Sequence, residues 1–130
     1  MATMIVRFPG GKRVSAEYEG FTVQTDQPVE AGGQGSAPPP FDLFLASIGT
    51  CAGIYVKGYC DARGIDAKDL RIEMQVEREP DGKRVARLAI EIHLPPGFPE
   101  KHRDAVARAA DLCAVKKHIL HPPAFEIRTL

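Results

Sequence analysis

The stretch FDLFLASIGTCAGIYVKGYC, residues 41–60, decides how the chain folds. From Leu43 to Val56 it carries no charge, with Asp42 and Lys57 as its bounds and Ser47, Gly49, Thr50 and Gly53 inside. Spanning a bilayer takes about 20 apolar residues, and uncharged runs of about 10–14 are more often core helices. The stretch therefore reads as the central helix of a soluble domain, running from about Phe41 to Cys60 and stopping near Gly64. A helix apolar nearly all round has to be covered on most sides. The remainder of a 130-residue chain offers one small sheet and two short helices for that purpose, which points to a partner subunit.

Outward from this helix the pattern is mostly β. MIVRF (4–8), RVSAEY (13–18) and FTVQT (21–25) are short runs separated by Pro9-Gly10-Gly11 and Glu19-Gly20, the signature of a meander. Residues 28–40, PVEAGGQGSAPPP, read as a loop leading into the helix. Beyond it, Leu70, Ile72, Met74 and Val76 alternate on one face of 70–79, and Leu88, Ile90 and Ile92 on one face of 85–94, with the turn Pro80-Asp81-Gly82 between. That alternation predicts a half-buried antiparallel hairpin. Pro99 opens a second helix over about 100–112, a short third helix spans about 114–120 before Pro122-Pro123, and FEIRT (125–129) reads as a last strand. The order is α+β with a mostly antiparallel sheet, in one domain over residues 1–130.

Composition narrows the function. Lys+Arg and Asp+Glu both number 17, so no excess positive charge is available for nucleic acid. Three cysteines make a poor disulfide framework, and MATMIVRFPGGKR has no long apolar segment of the export type. The expectation is a cytoplasmic, reducing setting.

The cysteines then carry the question. Free cysteines are usually small buried hydrophobes. Around Cys51 the helix neighbours three and four positions away are Ser47, Ile48, Ile54 and Tyr55, a mixed face suited to a pocket. Cys60 lies nine residues on, about 180° round the helix, so these two cannot bond. Cys113 follows Val106, Ala109 and Ala110 on a core-facing stripe. It also stands where a new helix starts, with Lys116 and Lys117 following, and a helix N-terminus lowers a thiol pKa. A metal reading through Cys113, His118 and His121 has no standard zinc spacing. No nucleotide loop or hydrolase motif is present, so neither metal nor cofactor is expected.

Two segments, APPPFDLFLASIGTCAGIYVKGYCDARGI and ARAADLCAVKKHIL, resemble the OsmC/Ohr family, and the resemblance spans nearly the whole chain. The first matches a pattern of the type P-x-x-L-L-A-x-x-G-x-C. The second, Cys113-Ala114-Val115-Lys116-Lys117, has alanine where the family usually has proline. The similarity is greater to the general OsmC-like branch than to the Ohr branch. It implies a fold in which a mostly antiparallel sheet wraps around the central helix, and an intertwined homodimer. It also implies two-thiol peroxidase activity, with Cys51 as the peroxidatic and Cys113 as the resolving cysteine. The family's carboxylate falls on Asp42, nine residues before Cys51; on one continuous helix it points away, so its role calls for an irregular helix start. The activating arginine comes from the N-terminal hairpin, where Arg13 is favoured over Arg7.

The chemistry so implied is reduction of an organic hydroperoxide, followed by recycling through an external dithiol. Phe41, Phe44, Ile48 and Ile54 would supply apolar walls for the organic group. Two other readings stay open: a dimeric binding protein for a small apolar or thiol ligand, and a metal protein through Cys113, His118 and His121.

Overall fold

The computed structural model describes residues 1–130. It contains five strands and three α-helices: β1 Ile5–Gly10, β2 Arg13–Tyr18, β3 Phe21–Thr25, α1 Pro40–Ala62, β4 Arg71–Arg78, β5 Val85–His93, α2 Arg103–Ala110 and α3 Ala114–Leu120. Both sheets are antiparallel, one ordered β1-β2-β3 and the other β4-β5. The α+β architecture read from the sequence is the one observed. The chain falls into two compact units, Met1–Ala46 and Ser47–Leu130, whose boundary lies inside α1.

In the first unit the expected three-strand meander forms, with one correction. Pro9 and Gly10 belong to β1 rather than to a turn, and the β1–β2 register slips between Arg7 and Gly10. Proline cannot donate to a ladder, so a slip there is where a strand tolerates it. Cross-strand pairing of Val6 with Ala16, and of Ala16 with Val23, places these three on one face. Phe8, Tyr18 and Phe21 share that face by alternation, and Phe8 and Phe21 are 80% and 78% exposed. The opposite face, apart from Ile5, is polar and carries the Arg7–Glu17 ion pair at 3.2 Å.

The loop that follows is ordered from within by Asp26, which is 1% exposed. Its carboxylate accepts from the N–H of Gln27 at 2.7 Å, Gln34 at 3.3 Å and Ser36 at 3.1 Å, and from the Ser36 hydroxyl at 2.6 Å. These donors, the Ser36 hydroxyl first, hold the Asp26 pKa down to about 2. Gly33 is required here, because a Cβ would stand 2.0 Å from the Gln27 carbonyl oxygen.

Helix α1 starts on Pro40, a residue suited to a first helical turn, with Asp42 beside the positive end of the helix dipole. It ends in a Schellman motif: Gly64 is left-handed (φ 66°), Ile65 N–H reaches the Cys60 carbonyl at 2.9 Å, and Gly64 N–H the Asp61 carbonyl at 3.3 Å. In the second unit Ala52, Val56 and Cys60 of α1 form a stripe at four-residue spacing, packed with Val106 and Ala110 of α2. Ile72, Leu70, Ile92 and Leu94 close over this core. The hairpin register pairs Ile72 with Ile92, Met74 with Ile90 and Val76 with Leu88, the apolar face the alternation predicts. Tyr59 Oη lies 2.7 Å from His102 Nδ1, tying α1 to the turn before α2, and the Arg63 guanidinium sits 3.6 Å from the centre of the Tyr59 ring.

The coverage of α1 expected from its composition is only partly met by the chain itself. Ile48, Ala52, Val56 and Cys60 are buried, whereas Ile54 is 63% exposed. At 23 residues α1 is also long and apolar enough to cross a membrane by those two measures, which core helices meet as well. Two other expectations change. The second helix is shorter, because residues 100–102 wind as a 3₁₀ turn before α2 begins at Arg103. The last strand is absent: residues 122–130 pair with no strand of the chain, and Phe125 and Ile127 are 83% and 97% exposed. A strand exists only against a hydrogen-bonded neighbour, so alternation alone does not form one.

The Asp26 cluster makes a pH prediction. A carboxyl whose folded pKa is lowered from 3.8 to about 2 stabilises the fold fully above about pH 4, and that stabilisation is lost as pH falls towards 2. Amide chemical shifts of Gln34 and Ser36 should therefore titrate with a midpoint near 2, and Ser36→Ala should move it upwards. A midpoint at the ordinary carboxylate value would contradict the cluster. Gly33→Ala should destabilise the fold by ~1–3 kcal/mol in denaturant titration, as overpacking against backbone does.

Candidate active site

Three cysteines are free, and the fold sorts them. Cys60 is fully buried in the α1 stripe, and burial pushes its thiol pKa up. Cys51, nine residues earlier on the same helix, lies off that stripe and is only half-buried. Cys113 is 2% exposed and stands between α2 and α3.

The local reason for the Cys113 position is helix capping. Its backbone is extended (φ −46°, ψ 122°) and its sulfur accepts from the Lys116 N–H at 3.4 Å, three residues on. This is the position in which serine or threonine oxygen usually serves. The thiol lies 3.9 Å from the Ile48 carbonyl of α1, so the start of α3 is set directly against α1.

That placement brings Cys51 and Cys113 together. The Val115 N–H, the Cys113 thiol and the Ala114 N–H are near enough to the Cys51 sulfur to act on its pKa. The Val115 N–H has the largest effect, and together these donors hold the Cys51 pKa below its ordinary value of 9.0 against the opposing effect of burial. The sequence had placed the helix N-terminus beside Cys113; the folded chain aims its first-turn N–H groups at Cys51. Lys116, expected to add positive potential, is ion-paired with Asp111.

Beside the thiols lies a cavity of about 420 Å³. Its walls include Ile48, Leu88, Ile90, Ile92 and Ile119, and Cys113 lines it while Cys51 does not. Of the apolar walls read from the sequence, Ile48 is among them and the exposed Ile54 is not; Phe41 and Phe44 meet in the first unit, with ring centres 5.4 Å apart and planes tilted by 42°.

Arg13 and Asp42 belong to the first unit. Arg13 opens β2, its Nε donates to the Gly10 carbonyl at 3.3 Å, and it lines a small cavity with Lys12, Asp26, Gly33 and Gln34. Arg7 pairs with Glu17. Asp42 is exposed in the first turn of α1, which runs from Pro40 to Ala62 as one helix.

The His118 ring nitrogen Nδ1 lies 2.7 Å from the Ala114 carbonyl, and Cys113, His118 and His121 do not gather into a ligand set. The group that does come within ligating range is Glu73, Glu91 and His93, on the polar face of the β4–β5 hairpin. Arg71 already supplies a cation there, donating to Glu73 at 2.8 and 3.0 Å and holding its pKa down. The sequence reading passed over this group, although the alternation that buries Ile72 and Ile92 necessarily turns Glu73, Glu91 and His93 outwards together.

A half-buried thiol made acidic by a helix start, with a second thiol in contact, agrees with the resemblance noted in the sequence. The family model described as OsmC-like protein matches residues 33–128. The chain belongs to the OsmC-like family. Among solved structures, an osmotic stress induced and detoxification response protein of Psychrobacter arcticus shares the OsmC-like fold. It has 28% identity and a TM-score of 0.77, over 94% of this chain and 90% of its own. An organic hydroperoxide resistance protein OsmC of Legionella pneumophila has 24% identity and a TM-score of 0.56, over 90% and 88%. An OsmC like protein of Mycoplasma pneumoniae has 16% and 0.64, over 94% and 87%. A search of curated proteins gave no match.

The site predicts a split between the thiols. In alkylation with iodoacetamide followed by peptide mass analysis, Cys51 of this OsmC-like chain should react with a pH midpoint below 9, whereas Cys60 should need a higher pH or unfolding. The reverse order would contradict the hydrogen bonding described.

Proposed function

We propose that this protein is a thiol-dependent reductase of organic hydroperoxides. One observation carries the reading: the fold sets the Cys113 sulfur 3.9 Å from the Ile48 carbonyl, one turn of α1 before Cys51, where the α3 backbone and the Cys113 thiol lower the Cys51 pKa. Names given to neighbours in the family, organic hydroperoxide resistance proteins of Legionella pneumophila and Vibrio cholerae among them, support it.

The steps follow from thiol chemistry. The Cys51 thiolate attacks the distal peroxide oxygen, the O–O bond breaks, and the organic oxygen leaves with a proton as an alcohol. Cys51 is left as a sulfenic acid. The Cys113 sulfur attacks the Cys51 sulfur, water is lost, and a disulfide joins them. Cys51 comes from α1 and Cys113 from the cap of α3, which is set against α1, so the two thiols start near each other. An external dithiol then restores both thiols by exchange and is itself oxidised to a disulfide. In this scheme Arg13 is the arginine that stabilises the Cys51 thiolate and the peroxide; Asp42 is given no part, because α1 starts as one continuous helix with Asp42 exposed, not with the irregular start its role called for.

The proposed assembly is a homodimer in the cytoplasm, with no nucleic acid or membrane partner and no cofactor. The apolar face of β1–β3, with Phe8 and Phe21 exposed, and the unpaired C-terminal segment carrying Phe125 and Ile127 are surfaces a second copy would cover. The second reading, a binding protein for a small apolar or thiol ligand, draws on the 420 Å³ cavity.

Two experiments test these proposals. Cys51→Ser should abolish peroxide consumption, since a serine hydroxyl is a far weaker nucleophile near neutral pH. Cys113→Ser should keep the first turnover and leave a sulfenic acid on Cys51 that dimedone labels, whereas the unmutated protein yields a Cys51–Cys113 disulfide. A reduced protein that forms no such disulfide with cumene hydroperoxide refutes the peroxidase and leaves the binding protein. Sedimentation at micromolar concentration should give a dimer; a monomer refutes the assembly.

A further inference from the structure

The polar face of the β4–β5 hairpin holds a group that the thiol cycle does not use. Glu73 of β4 stands directly opposite Glu91 of β5, and His93 follows two residues after Glu91 on the same face. Their ligating atoms all lie within 4.8 Å of one another. We propose that Glu73, Glu91 and His93 form a binding site for a divalent transition-metal ion of the zinc type. The ion joins β4 to β5 at the end of the hairpin remote from its turn, on the face turned away from Ile72 and Ile92.

The first support is an orphaned nitrogen. The His93 ring is part-exposed, but its Nε2 is closed to solvent and has no hydrogen-bond partner. It lies 3.2 Å from Oε2 of Glu73 and 3.6 Å from Oε2 of Glu91, bonded to neither. A buried polar atom ordinarily has a partner, and one that lacks it points to an ion or a water.

The second support is spacing. Two donors that share one zinc ion at about 2.0–2.1 Å stand about 2.9–3.4 Å apart at tetrahedral or octahedral angles. The His93–Glu73 separation falls within that range. The His93–Glu91 separation is slightly larger, and Glu91 is an exposed side chain that can close the difference.

The third support is charge. Like charges directly opposite on a ladder repel, and Glu73 and Glu91 are such a pair. Arg71 offsets one of them through two N–H groups, but both reach Oε1 of Glu73, so Oε2 stays on the side of His93. Glu91 has no cation beside it except the His93 ring. With that ring neutral, the group and Arg71 together carry one net negative charge, which draws a cation. Two carboxylate oxygens and one imidazole nitrogen make a donor set suited to zinc, with water at the remaining positions. Monovalent copper prefers sulfur, and magnesium prefers an all-oxygen octahedron, so neither fits this set.

The test titrates zinc chloride into the reduced protein near neutral pH. Long-range proton–nitrogen NMR spectra follow the rings of the four histidines. The His93 Nε2 resonance, assigned with His93→Asn, should move at lower zinc than those of His102, His118 and His121, and EDTA should return it. Zinc held by thiols alone leaves this resonance in place. Glu73→Gln and Glu91→Gln keep the shape of the side chain, and each should raise the half-saturating zinc concentration by about tenfold or more. Backbone amide spectra check that both variants fold. A His93 ring unmoved at millimolar zinc, or His118 and His121 moving first, overturns the inference. So does a shift that EDTA fails to reverse, or an unchanged half-saturation in the folded glutamine variants.

Discussion

The contact on which the rest of the second unit depends is the packing of Val106 and Ala110 on Ala52, Val56 and Cys60. The two helices meet through these side chains. The chain leaving α2 then has only Asp111 and Leu112 before Cys113, so α3 must start against α1, within reach of the Ile48 carbonyl and of Cys51. Burial of an apolar stripe thus fixes the distance between two thiols 62 positions apart in sequence. The Tyr59–His102 hydrogen bond holds the same two helices from the other end of α2.

Cysteine serves twice in this arrangement. Cys113 occupies a capping position with its sulfur and so helps to form the very turn whose N–H groups act on Cys51. In the proposed cycle the resolving residue is therefore also the one that shapes the site around Cys51. Cys60 illustrates the contrast. On the same helix as Cys51, but within the stripe, its pKa is raised first by burial and then by the charge of Asp61, against the smaller opposing effects of Lys57 and Arg63. Environment, not residue type, separates the two.

The first unit is organised by different physics. Its loop has almost no apolar residue to bury, and order there comes from one carboxylate, Asp26, that collects four hydrogen bonds. A buried ionised group is tolerated because it is so fully paired. In the GGQG stretch, residues 32–35, Gly33 lets backbone approach backbone, since a Cβ there would stand 2.0 Å from the Gln27 carbonyl oxygen, and Gly32 and Gly35 take left-handed φ of 91° and 62°.

Element types and the core face of the hairpin were legible in the sequence because local periodicity encodes them. The α1 helix itself, the alternation in 70–79 and 85–94 and the turn at Pro80-Asp81-Gly82 read directly, whereas α1, apolar nearly all round, did not show which stripe would be buried. So did the two motif cysteines and their family. FEIRT shows the limit: its alternation is that of a strand, yet pairing requires a neighbour that local sequence does not specify. The electrostatics of the site lay equally out of reach. Whether a helix start acidifies its own capping thiol or one on another helix depends on where two segments meet, and only the packed core decides that.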